Sequence, residues 1–288
     1  MSALPALVIA RLTLREASRR RLLIVGAILT VLLVGFTAWA FAQLTSLPCR
    51  DGRPCSPIET KALAATLVIL VTFMYSFVFT LGSVFVMAPA LAAEVESGVA
   101  LALLPRPIRR SDVVLGKWLG WGTLLSGYVM ATTGLEFIAV QALVGYLPPH
   151  PIQAILFLVG ESLVMLTLAL LCSTRLPPMT GGIVALVLFG LSWMGGIAKA
   201  VGAALESDTV HNIGLASSLI LPTDGLWRGA LFHLEPAVLT EAPGISRAFA
   251  ANPFFALAPP SLAYVAWTVA WIVLMLALAI FSFERREF

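Results

Sequence analysis

Apolar residues fall into six long runs separated by short polar or proline-rich breaks, at 22–44, 62–91, 118–147, 152–173, 179–203 and 261–283. Each run reaches the length of about 20 residues that carries a helix across a bilayer. The pattern predicts an all-α membrane protein with six spans. Residues 1–21 differ: apolar patches alternate with Arg11, Arg15, Glu16, Arg19, Arg20 and Arg21, as in an amphipathic helix lying in the membrane interface. A secretory signal does not fit, because the apolar run after Arg21 extends well past the roughly 7–15 residues of a signal core and no small-x-small cleavage site closes it. Pro89 stands near the end of the second run and predicts a kink or stop there. Between the last two runs, residues 204–260 are only moderately apolar and are broken by Pro222, Pro236, Pro243, Pro253, Pro259 and Pro260. They predict a cap of short helices outside the membrane.

Composition strengthens this reading. Of the 288 residues 59% are hydrophobic and 11% charged, against roughly 45–50% and about 25% in soluble domains. A large soluble catalytic domain and a nucleic-acid binder are thereby excluded, although the formal net charge is +3. The distribution of Lys and Arg matters more than their sum. With the first residue inside, twelve lie on the cytoplasmic side, at 11, 15, 19, 20, 21, 106, 109, 110, 117, 175, 285 and 286. Six lie outside, at 50, 53, 61, 199, 228 and 247. Six spans then leave both termini in the cytoplasm and put 204–260 outside. No internal repeat is visible, so an inverted-repeat transporter is not suggested.

Chemistry is sparse. There is no G-x-x-x-x-G-K-[ST] phosphate loop and no H-E-x-x-H or C-x-x-C, and His150, His211 and His233 are scattered. The chain is therefore not expected to be an enzyme or to hold a metal or cofactor. Cys49 and Cys55 share a polar loop that faces the oxidising side in this topology; a disulfide is favoured over two unrelated thiols or a soft-metal site, since no His stands nearby. Cys172 reads as ordinary small packing. Glu136 and Glu161 fall deep within spans at similar depth, where an isolated charge costs at least ~2.5 kcal/mol. They should face each other, a cavity or a cation, as a wall of a substrate path or dimer interface or as protonated groups bonding between helices. Lys199 snorkels or partners one of them. Gly181-Gly182 and Gly195-Gly196 suit close helix packing, and the tryptophans read as interfacial anchors.

One string stands out: Glu94-Val95-Glu96-Ser97-Gly98, an apolar stretch to Leu104, then Pro105-Arg106-Pro107, Arg110 and Gly116-Lys117. It resembles the first cytoplasmic loop of ABC-2-type exporter permeases, whose typical member reads Glu-x-Glu-x-Gly-Thr, an apolar run, Pro-x-x-Arg and Gly-Lys. Val99 departs from the usual Thr or Ser. The order of elbow helix, six spans and an extended outer segment also matches. A second stretch, Leu221-Pro222-Thr223-Asp224-Gly225-Leu226-Trp227-Arg228, is similar to the Asn-Pro-Thr-Asp-x-x-Arg of permeases from the nitrous-oxide reductase maturation transporter, with Leu221 in place of Asn and Arg228 displaced by one.

The resemblance implies a cytoplasmic coupling helix within 92–117, through which Glu94, Glu96, Gly98, Pro107, Arg110, Gly116 and Lys117 would meet a separate ATPase. It also implies a dimer of permeases with two ATPase copies that bind ATP and Mg, in a bacterial cytoplasmic (inner) membrane, moving a substrate outward. Partners would be the ATPase, a second permease copy, membrane lipid and, in one version, a periplasmic protein; nucleic acid is not among them. Two other readings stand beside export: delivery of mechanical work to a periplasmic maturation or assembly protein, and an intramembrane enzyme using Glu136 and Glu161.

Overall fold

The computed structural model describes residues 3–19, 22–44, 56–96, 109–236, 254–256 and 258–286. The described elements are helices: α1 (Ala3–Arg19), α2 (Leu22–Leu44), α3 (Pro57–Met87), α4 (Pro89–Glu96), α5 (Arg110–Val144), α6 (Pro151–Ser173), α7 (Pro178–Ala204), α8 (Asp208–Ile220), α9 (Thr223–Leu234) and α10 (Leu262–Glu284). Six are long and apolar enough to cross a membrane: α2, the α3–α4 pair, α5, α6, α7 and α10.

Proline sets several starts. Pro57, Pro89, Pro151 and Pro178 each open a helix, where a missing N–H costs nothing because no intrahelical acceptor exists for it. Ser56 and Glu59 add a reciprocal capping box at the start of α3. The interruption at Ala88, between α3 and α4, falls one residue before Pro89, whose ring nitrogen cannot donate to the preceding turn. Gly145 closes α5 in the left-handed region, at φ 69°.

The spans pack around α6, the most buried of them, which touches α3, α5, α7, α9 and α10. Helices α2 and α10 are the least buried, and their exposed Val31, Phe36, Val269 and Val273 suit contact with lipid. Helix α1 lies along α5. Gly116 and Gly120 make that approach possible: a Cβ on Gly116 would stand 2.6 Å from the Ile9 Cβ, and one on Gly120 would stand 2.8 Å from the Thr13 Cβ. Their four-residue spacing forms the small-xxx-small seat that lets two helix backbones meet.

Helix α8 turns back along α7. Gly202 lies against His211, Gly214 against Lys199, and Ser192 against Leu221, so the two helices run antiparallel. The turn at Leu221-Pro222 thus sits roughly 18 Å down α7 from its Ala204 end, at 1.5 Å per residue. Helix α9 then leads back. The stretch read as a cap therefore includes a helical hairpin that reaches in between spans.

Candidate functional site

The hairpin is fastened by the very motif that stood out in its sequence. Thr223 Oγ1 donates to Ser192 Oγ at 2.9 Å, and Ser192 Oγ donates to the Leu221 carbonyl at 2.8 Å. One turn along α7, Arg228 donates to Asp224 Oδ2 at 3.0 Å and to the Gly196 carbonyl at 2.9 Å. Asp224 lies against Gly196, in the space that a Cβ at that position would take. Pro222 forms the N-cap of α9. Thr223, Asp224 and Arg228 thus attach α9 to two positions of α7 that are four residues apart.

The other edge of the hairpin is held by α10. The last carbonyls of a helix have no partner within it, and those of α8 receive three aromatic donors: Tyr264 Oη to Ser218 at 3.0 Å, Trp267 Nε1 to Leu219 at 3.0 Å and Trp271 Nε1 to Ile220 at 2.7 Å. Trp267 and Trp271, read from the sequence as interfacial anchors, act here as caps. Trp118 likewise donates to Thr167 Oγ1, at 2.9 Å.

The two intramembrane carboxylates are both buried, Glu136 at 1% and Glu161 at 3% exposure. They enter separate networks. Glu136 Oε2 accepts from Thr37 Oγ1 at 2.6 Å and from Tyr75 Oη at 3.0 Å, joining α2, α3 and α5. Both oxygens of Glu161 accept from Ser76 Oγ at 2.9 Å. Tyr75 and Ser76 are consecutive on α3 and so point about 100° apart. The carboxylates are held on different sides of one helix, and Glu161 faces a cavity. That cavity, about 10 Å³, is lined by Ser76, Glu161, Thr223 and Asp224 within a wall of Phe73, Phe77, Phe189, Trp193 and Trp227. Beyond the spans, Glu235 Oε1 accepts from the Ala256 N–H at 2.8 Å; burial pushes this carboxyl up to about 7, against the pull of that N–H.

At the opposite end of the bundle, the residues proposed for ATPase coupling are distributed. Glu94 and Glu96 belong to α4. Gly98 and Pro107 lie outside the described residues, as do Cys49 and Cys55. Arg110 donates to the carbonyls of Phe283, Glu284 and Arg286 at 3.2, 3.0 and 2.8 Å, capping α10. Arg286 in turn donates to the Thr174 carbonyl at 2.7 Å, and Arg175 to Ser282 Oγ at 3.0 Å. Lys117 donates to the Ala90 carbonyl, joining α5 to α4, and Gly116 seats α1. Arg110, Gly116 and Lys117 therefore knit helices together beside α4. Residues that sequence reading passed over are Thr37, Tyr75 and Ser76, the carboxylate donors, Gly120, and Tyr264. The four-residue step from Gly116 to Gly120 and the Tyr264, Trp267, Trp271 spacing along one helix face were the available signals for the last two.

Comparison with known proteins adds a family. Residues 86–288 match the model described as ABC-2 family transporter protein. The chain is 31% identical over 136 residues to the probable ABC transporter permease protein NosY of Pseudomonas aeruginosa, covering 47% of this chain and 46% of that one. It is 32% identical over 137 residues to the protein of the same name from Stutzerimonas stutzeri, covering 47% and 45%. The matched stretch is about half the length of these curated relatives.

Proposed function

Because the chain belongs to the ABC-2 family of transporter proteins, we propose that it works as a dimer with two copies of a separate ATPase, which binds ATP and Mg, to move a substrate outward across a bacterial cytoplasmic membrane. The family match and the two similar permeases support a membrane subunit of an ABC transporter. The observation that carries the finer reading is the family match over 86–288, which takes in α4 and every span after it. Arg109, Arg110, Arg175, Arg285 and Arg286 gather where α5 begins and α10 ends, which suits the cytoplasmic side.

An ATPase docked on α4 and the 97–108 segment would act through covalent and bonded links. Helix α4 continues into α3 across Ala88, and α3 carries one donor to each buried carboxylate. Lys117 passes the same displacement to α5. The test is purification of the tagged chain from its native membrane in mild detergent. A nucleotide-binding subunit should co-elute in equal amount, with vanadate-sensitive ATP hydrolysis. A monodisperse permease that brings no such subunit and no hydrolysis would overturn the reading.

Work delivered to an extracytoplasmic protein is a second reading, favoured by the tethering of the α8–α9 hairpin to α7 and α10, which would carry span motion to that surface. Co-elution of a periplasmic protein with the same complex, lost when the hairpin is altered, would select it over export.

A further inference from the structure

The mechanism above leaves unused the small cavity enclosed by α3, α6, α7 and α9. Its polar groups do not balance. Glu161 has two carboxylate oxygens and, among the described residues, a single donor, the Ser76 hydroxyl. Trp227, 3% exposed, lines the same cavity, and its indole N–H is buried with no acceptor among the described residues. A buried donor left unmade costs about 1–3 kcal/mol. What satisfies the set must accept from an indole N–H and donate to carboxylates. A metal or alkali cation fails the first requirement, because a positive ion is repelled by the N–H dipole. Water meets both, and a cavity of about 10 Å³ is at the size that holds one.

Charge is as uneven as hydrogen bonding. Arg228 of α9 is bonded to Asp224, and Lys199 of α7 adds a second positive field on Asp224. Helix α3 presents the uncharged Ser76, and the phenol of Tyr264 on α10 is committed to Ser218. Both cations therefore face Asp224 rather than Glu161. Glu161 is left beside a carboxylate of like sign, inside an aromatic wall, where two close carboxylates cannot both stay charged without cost.

We propose that this cavity is a proton-binding site, in which Glu161 takes one proton from solvent hydronium and shares it through a single bridging water with Asp224. In the protonated state the Glu161 O–H donates to the water, the water donates to Asp224, and the Trp227 N–H donates to the water. On release the proton returns to bulk water, and two like charges then face each other across the contact between α6 and α9. Hairpin seating is in this way linked to pH.

The test uses the full chain in lipid nanodiscs without nucleotide or ATPase, so its failure is separate from failure of the transporter reading. Infrared difference spectra of the chain carrying Glu235→Gln, which removes the other carboxyl pushed up by burial, should show a protonated-carboxyl C=O band lost with one midpoint across a pH titration. The band should be absent in Glu161→Gln, present in Glu136→Gln, and shifted in frequency by Trp227→Phe. A band that persists in Glu161→Gln, or that vanishes in Glu136→Gln instead, would overturn the proposal, as would a midpoint that moves with sodium concentration. A second measurement needs no carboxylate variant. In the wild-type chain, proton-detected solid-state NMR should show magnetisation transfer from water to the indole proton that Trp227→Phe removes; its absence would rule out the bridging water.

Discussion

Where Asp224 lies against Gly196, the carboxylate takes the space of a missing side chain, and Arg228 bonds the carbonyl of that same glycine. A single methyl should therefore unseat the pair. Gly196→Ala is expected to lower stability by about 1–3 kcal/mol, the usual cost of overpacking, with a matching fall in thermal unfolding temperature in detergent. Gly82→Ala, on α3 with nothing within 4 Å of the added Cβ, should be neutral or raise stability by up to ~1 kcal/mol, since Ala is the better helix former. Equal effects at the two positions would mean that Asp224 is free to move aside. At this scale the sequence reveals acidic residues in apolar runs, because lipid makes a buried charge expensive. It does not reveal their donors: Thr37, Tyr75 and Ser76 look like any other hydroxyls in spans rich in them, and only the packing of α2, α3, α5 and α6 singles them out.

Among elements, the hairpin and the last span depend on each other. Three consecutive carbonyls at the end of α8 take donors from three residues of α10 spaced three and four apart, so that one face of one helix caps another. Removing two donors at once, in Tyr264→Phe with Trp271→Phe, should strand two carbonyls at about 1–3 kcal/mol each. Hydrogen exchange is expected to quicken in α8 and the Leu221 turn while α5 and α6 keep their protection. Uniform change across all helices, or none, would deny that α10 holds the hairpin. The apolar pattern made the spans legible because a bilayer sets their length. It could not announce that 208–234 folds back between them, since a short, moderately apolar helix reads the same on a surface as in a crevice. The tryptophans misdirect for a related reason: an indole suits a wet interface and a buried carbonyl alike, and neighbours decide between them.

For the molecule as a whole, the proposed coupling to a separate ATPase would have to reach the buried carboxylates through the bundle, and α4 is the element to test. It is joined to α3 through one residue and bonded to α5 through Lys117, so any push on it is carried to two of the three helices that meet at Glu136. Neighbouring basic residues are tied up in capping: Arg110 and Arg286 close the ends of α10 and of α6. Glu94 and Glu96, which belong to α4, are therefore the charged positions of the motif string to test for ATPase contact. The motif string was legible from sequence because acidic pairs and glycines are rare between apolar runs. The split within it was not, since whether a charge faces a partner or a helix end depends on folding. Surface ion pairs contribute only about 0–1 kcal/mol each, so Glu94→Lys alone should be nearly silent. Glu94→Lys with Glu96→Lys and Gly98→Val should insert at wild-type level and keep the thermal stability of the bundle, while ATPase co-purification falls at least ~10-fold, the equivalent of about 1.4 kcal/mol. The double variant Gly116→Leu with Gly120→Leu should do the reverse, loosening α1 from α5 and lowering stability while any ATPase bound through α4 is retained. Wild-type ATPase recovery in the triple variant would move coupling away from α4, to the basic ends of α5 and α10.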